Sequence, residues 1–288
     1  MTARQTIDQP VFPAETLAAM EALYPAKAGL LRHRLPDHPL LSLEALAQLG
    51  EGLPAGQVEY NPGDVPIGIK PEDVPSNGLS IGETIRTIDT NRSWAVLKNI
   101  ETVPDYRELL MGLLGELEPV VEPRTGAMLT PQGFVFISSP GSITPFHFDP
   151  EHNILLQLRG QKVMNVWPAG DERFAHRVEH ERYHTGGHRN LPWEETYREG
   201  AQQVPLAPGD AVLMPVMAPH FVANGDAPSI SLSITWRSEW SYRESEAHAA
   251  NAALRRMGLD PQMPPRWPSY AWAKTVGWRI ARRLKLVS

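Results

Sequence analysis

The sequence predicts a mainly β fold, a double-sheet jelly roll with helices before and after it, and three features of the 288-residue chain carry that reading. From about residue 133 the chain becomes a series of short apolar segments: "GFVFISSP", "SITPFHFD", "NILLQLRG", "QKVMNVWP", "QQVPLAPGDAVLMP", "HFVANGD" and "SISLSITWRS". Turn-forming Gly, Pro, Asp or Asn separates them, as expected of strands in a sandwich or barrel. Helical periodicity lies on the two flanks and not between the segments, which argues against an alternating βαβ order. A composition of 42% hydrophobic and 21% charged residues suits a soluble globular chain with a sizeable core.

The first third reads as helices joined by proline-rich connections. "PAETLAAMEALY" and "LSLEALAQL" have the pattern of short amphipathic helices. In "DYRELLMGLLGEL", Asp105 and Glu108 have capping-box spacing, and Tyr106, Leu109, Leu110, Leu113, Leu114 and Leu117 recur on one helical face, with Pro119 expected to end the helix. "AGQVEYNPGDVP" is framed by turn residues, and "SWAVLKNIE" is a compact β-like run. Residues 170–201 are too long for a hairpin loop and too polar for core, so they read as a lid or a substrate-facing insert. After Trp240 the pattern is helical through "EAHAANAALRRMGL", breaks at prolines, and ends in "SYAWAKTVGWRIARRLKLVS". One structural unit follows: an N-terminal helical and mixed wrapping region (1–90), a jelly-roll core (91–240) that carries the insert, and a C-terminal helical region with a basic tail (241–288).

The absence of cysteine removes disulfides, thiolate metal sites and cysteine nucleophiles together, so any metal must be held by nitrogen and oxygen. "MTARQTIDQPVFPAETLAAM" has no basic start followed by an apolar run, and no uncharged apolar stretch is long enough to span a bilayer, so a cytoplasmic location is expected. No acidic residue follows Asp260, whereas Arg266, Lys274, Arg279, Arg282, Arg283 and Lys285 do; the overall charge of −6 divides into −12 for residues 1–260 and +6 beyond. An acidic body argues against an extended nucleic-acid groove and leaves the basic tail open for another role.

The stretch "SITPFHFDPEHNILLQLRGQK", residues 142–162, concentrates ionisable groups in a segment patterned like two strands. Such groups are costly to bury without partners, so their density points to a site. His147 and Asp149 form H-x-D, which on a regular strand directs both side chains to one face. The best third ligand is His220, behind "PGDAVLMPVMAP". Two histidines and one carboxylate make the facial triad of non-haem Fe(II) sites, with coordination positions left open.

This order of elements, from about residue 90 to 240, resembles the JmjC and cupin-like Fe(II)/2-oxoglutarate-dependent oxygenases, including the asparaginyl-hydroxylase type. The resemblance implies a double-stranded β-helix in which His147, Asp149 and His220 hold Fe(II). It implies that Lys162 pairs with the distal carboxylate of 2-oxoglutarate while Thr144 and Asn153 hydrogen-bond the cosubstrate. It further implies oxidative decarboxylation coupled to hydroxylation of a C–H bond in a protein side chain or small molecule. Two rivals stand beside it: a metal-dependent cupin enzyme that does not use 2-oxoglutarate, and a ligand-binding regulatory cupin.

Other residues take blander readings. His152 reads as a solvent-facing loop residue. His176, His180, His184 and His188 fall at intervals of four, but Gly186 and Gly187 interrupt a helix, so a polar, substrate-contacting insert is preferred to a second metal site. Lys162 alone would pass for an edge-strand lysine. Among Trp167, Trp193 and Trp236, core positions are expected, with Trp193 the best candidate for substrate contact because it lies in the insert. Trp272, Val276, Ile280, Leu284 and Val287 form one helical stripe, expected to dock on the domain or on a second subunit as a homodimer contact. A basic amphipathic helix on a membrane surface is the other reading of that stripe.

Overall fold

The computed structural model describes residues 9–62 and 76–285; the first eight residues, the end of "AGQVEYNPGDVP" and Val287 lie outside them. Among the described residues, no helix is long and apolar enough to cross a membrane. The chain runs α1 (Ala14–Leu23), β1 (Gly29–Arg32), α2 (Leu43–Gly52), β2 (Val58–Pro62), α3 (Ile81–Arg86), β3 (Ser93–Lys98) and α4 (Pro104–Thr125). It continues through β4 (Leu129–Ser138), β5 (His152–Arg159), β6 (Lys162–Val166), α5 (Arg177–Tyr183), β7 (Gln202–Leu206) and β8 (Asp210–Met214). It ends with β9 (His220–Asn224), β10 (Ser229–Arg237), α6 (Glu239–Arg256) and α7 (Trp272–Arg283).

The predicted two-sheet architecture is present. The larger sheet has the order β1-β8-β5-β10-β4-β3-β2 and the smaller β7-β6-β9, and the strand pairs are antiparallel. Period-two alternation decides what each face of the larger sheet meets. On β10, Ile230, Leu232, Ile234 and Trp236 join the core under α1, α2 and α4, while Ser229, Ser231, Ser233 and Thr235 turn towards the space between the sheets. On β5, Ile154, Leu156 and Leu158 face the helices, whereas Asn153 and Gln157 face inward. Ser233 donates to Asn153 Oδ1 at 2.8 Å and Ser231 to Gln157 Oε1 at 2.8 Å. The inter-sheet space is apolar around Leu155, Met164, Val212 and Val222 and polar beside β10.

Two local expectations are corrected. α4 runs on through Pro119 and Pro123, because Leu117, Val120, Val121 and Thr125 are buried against the core and packing outweighs the missing amide bonds. It begins with Pro104 at the first position behind Val103, and Asp105 is not its cap. The N-terminal region mixes helices with strands: β1 pairs with β8 at one edge of the larger sheet and β2 pairs with β3 at the other.

β5 and β6 are joined by a tight turn in which Gly160 has φ +69°. A Cβ at this position would lie 2.2 Å from the carbonyl oxygen of Pro228. Left-handed backbone alone costs an L-residue about 1–2 kcal/mol, and the contact with rigid backbone adds to that. Gly160→Ala is therefore expected to lower stability by at least about 2 kcal/mol in denaturant unfolding; an unchanged midpoint would contradict this account of the turn that introduces Lys162.

Candidate metal centre and its cleft

Residues 142–148 do not form the regular strand that their pattern suggests. Pro145 interrupts it and Pro150 follows it, and isolated bridges remain, Ile143 with Ala223 and His147 with both His220 and Asn190. The His147–His220 bridge is reciprocal: each backbone N–H donates to the other's carbonyl, at 3.0 and 2.7 Å. This close pairing sets the two imidazoles with centroids 4.1 Å apart. Asp149 is held by its own carbonyl, which accepts from Met217 N at 2.7 Å in the loop before β9. Its Oδ2 lies 3.7 Å from His147 Nε2 and 3.6 Å from His220 Nε2. Among the described residues, His147, Asp149 and His220 are the one group of three such side chains whose donor atoms all fall within 4.8 Å of one another.

The protonation states suit a divalent cation. His147 Nδ1 lies 2.7 Å from the carbonyl of Pro145, and His220 Nδ1 lies 2.9 Å from that of Ala218. A carbonyl only accepts, so each Nδ1 carries the proton and each Nε2 presents a lone pair. Burial, reinforced by the neighbouring His220, lowers the pKa of His147 to about 3; burial also lowers that of His220, so both rings are neutral. For Asp149 burial acts upward, but Arg189 and the two imidazoles outweigh it and hold the carboxyl well below the usual range. Arg189 Nη1 donates to Asp149 Oδ1 at 2.9 Å, leaving Oδ2 turned to the imidazoles.

Two connected cavities open beside the triad. The outer is about 560 Å³ and is lined by residues that include Glu59, Trp94, Glu151 and Arg189 as well as His147 and Asp149. At its rim Glu59 pairs with Lys98. Burial and the nearby Asp149 raise the Glu151 carboxyl to about 7. The inner cavity, about 50 Å³, brings the triad together with Thr144, Asn153 and Lys162. Lys162 is 4% exposed on β6, the central strand of the smaller sheet, which removes the edge-strand reading. Burial acts on its ammonium, with no carboxylate among the described residues to offset it, and lowers the pKa to about 7. Thr144 Oγ1 accepts from Val222 N at 2.8 Å, which ties it to β9.

Several side chains lie elsewhere than expected. Trp193 does not line either cavity; it packs edge-on against Phe146, Trp167, Tyr197 and Phe221 in a cluster that anchors the insert. Trp167 and Trp236 are core, as expected. His152 is buried as the first residue of β5, stacked on Trp236 at 5.5 Å, with Nε2 2.9 Å from the hydroxyl of Ser238. His180 and His184 of the insert stack on His248 of α6, with centroids 4.8 and 5.4 Å apart, and turn away from the cleft. Burial lowers His180 and His184 to about 3, so they pack as neutral rings. His188 lines the outer cavity, so only that end of the histidine run meets the cleft. Arg189, Trp94 and Glu59 were not legible as site residues; the inward-facing Ser233 was available from the alternation in "SISLSITW".

Arg189 fixes which Asp149 oxygen remains for a cation, and partners of metal-ligand carboxylates change affinity by about 10–100-fold when removed. Arg189→Ala is expected to weaken divalent-metal binding by about that factor in calorimetric titration, with thermal stability little changed. Wild-type affinity would show that Asp149 needs no such partner.

The chain is similar to Jumonji C domain-containing protein 5 of Drosophila melanogaster, 30% identical over 114 residues, which cover 35% of this chain and 26% of that protein. It thus spans about a quarter of that relative's length. In structure it is similar to the Escherichia coli ribosomal oxygenase YcfD, with a TM-score of 0.51 and 17% identity over 94% of this chain and 66% of that one. A second structure of E. coli ycfD gives a TM-score of 0.50, 16% identity and coverage of 94% and 67%. Both likenesses are of fold. The family model described as "Cupin-like domain" matches residues 89–242, which hold the triad and the lining of the inner cavity, and the chain belongs to that cupin-like family.

Proposed function

We propose that this protein is an Fe(II)- and 2-oxoglutarate-dependent oxygenase that hydroxylates a protein side chain or a small molecule in the cytoplasm. The observation that carries the proposal is the buried Lys162 ammonium, without a carboxylate partner among the described residues, in the same small cavity as the His147–Asp149–His220 triad. A buried cation needs an anion, and the distal carboxylate of a keto diacid supplies one while its other end reaches the metal. A metal-dependent enzyme without that cosubstrate, or a ligand sensor, gives Lys162 no comparable task. The names of the relatives, a Jumonji C protein and a ribosomal oxygenase, agree with the reading and lean it towards a protein substrate.

The residues present fit the group. Two neutral Nε2 donors and one ionised carboxylate oxygen suit Fe(II), with positions left open for a chelating keto acid and dioxygen. When bound, the metal and cosubstrate supply the oxidation of a C–H bond, which no side chain can perform. The protein's own part is positional. Thr144 and Asn153 line the inner cavity and orient the keto acid; Asn153 is itself held by Ser233. Arg189 keeps Asp149 turned to the centre, and the outer cavity, with Trp94, Glu59 and Glu151, receives the substrate. In domain terms we assign the chemistry to residues 91–240, with the insert 170–201 walling the cleft.

His147→Ala and Asp149→Ala are each expected to abolish Fe(II) binding in anaerobic titration and to leave the thermal midpoint near that of the wild type; turnover like the wild type in either would sink the assignment. The pH dependence follows from Lys162. The dicarboxylate binds its ammonium form, so affinity for 2-oxoglutarate is expected to be highest below about 7 and to weaken as pH rises through that value, with proton uptake on binding. Lys162→Arg, charged at every relevant pH, is expected to flatten the profile. An affinity that rises with pH would contradict this role.

A further inference from the structure

α7 sits the opposite way round from what its sequence suggests. Thr275 and Trp278 are its buried residues, and Trp278 packs on Ala249 and Ala250 of α6. The helix is tied down by polar contacts: Arg279 pairs with Glu246 at 2.8 Å, and Thr275 Oγ1 donates to the carbonyl of Arg243 at 3.3 Å. Three members of the expected docking stripe therefore face outward, and Val276 is half-buried. Trp272, Ile280 and Leu284 are 63%, 55% and 62% exposed, and no described residue covers them.

We infer that this outward face of α7 is a docking surface for an anionic lipid bilayer. Large apolar side chains aligned on an exposed face mark an interaction site, and here they lie beside Arg282, Arg283 and Lys285 in a segment without a single acidic residue after Asp260. An apolar stripe bordered by cations is the pattern of a helix lying in a headgroup layer, with Trp at the boundary and arginines reaching to phosphates. Charge complementarity fits a negative surface. Size argues against a second copy of the chain: twelve residues of helix rise about 18 Å, so one face offers on the order of 200 Å², against about 800 Å² per partner in a stable dimer. A bilayer imposes no such minimum, because apolar insertion and charge attraction add without a shaped partner.

Vesicle sedimentation of the full chain tests this. Binding is expected to phosphatidylcholine vesicles containing phosphatidylserine and not to phosphatidylcholine alone, and it should weaken with added salt. Each basic residue near such a surface contributes about a factor of five, so Arg282→Glu with Arg283→Glu is expected to lower partitioning by about thirty-fold or more. Trp272→Ser with Leu284→Ser should also reduce it. These positions are exposed, so thermal midpoints should hold, and the triad's metal affinity should not change. Absence of binding to anionic vesicles, or equal binding to neutral ones, would overturn the inference. So would a dimer in light scattering that Trp272→Ser with Leu284→Ser dissociates, which would make the stripe a self-interface, or retention of a polyanionic RNA in place of vesicles.

Discussion

The candidate centre depends on one backbone contact, the pair of hydrogen bonds between His147 and His220. Two residues that exchange N–H and C=O across an antiparallel bridge have their side chains brought side by side, with no freedom to separate except by breaking both bonds. That contact joins an irregular, proline-interrupted segment to the first residue of β9, so the imidazoles do not depend on the regularity of either strand. The bond from Met217 N to the Asp149 carbonyl adds the third donor by the same means. Side-chain rotation is limited in turn, because each Nδ1 is committed to a carbonyl two residues earlier in the chain.

Around this fixed group the sheets divide polar from apolar by alternation. A strand that shows Ile, Leu and Trp to the helices must show its other face to the inter-sheet space, and on β10 that face is Ser and Thr. Those hydroxyls pair with Asn153 and Gln157 of β5, so the interior beside the centre is hydrogen-bonded and rigid before anything binds. Lys162 is the exception: it is buried on the smaller sheet with no carboxylate beside it among the described residues, and burial lowers its pKa. Uncompensated buried charge is a pattern that functional sites show and cores avoid.

The sequence showed the chemistry better than its surroundings. The two-sheet fold was legible because strand segments and turn residues alternate regularly after residue 133, and the triad because its donor types and order are specific. Arg189 was not, since nothing local says that the insert returns to pair Asn190 with His147. His152 was misplaced by treating its neighbours as a loop, whereas it opens β5 and packs flat on Trp236. Pro119 failed as a stop signal because tertiary burial of the residues after it holds the helix together. The tail misled in the same way: periodicity located the stripe of α7 but could not say which face meets the protein, and Trp278, outside that stripe, makes the contact.

The proposed function requires that the triad and Lys162 together hold a metal-chelated keto acid. Its most direct test is anaerobic addition of Fe(II) and then 2-oxoglutarate to the purified protein, following the weak visible charge-transfer absorption of the chelate, with Lys162→Ala in parallel. A band that requires both additions and fades in the variant is expected. Iron binding with no band on adding 2-oxoglutarate would contradict it and leave a metal-binding cupin of another activity.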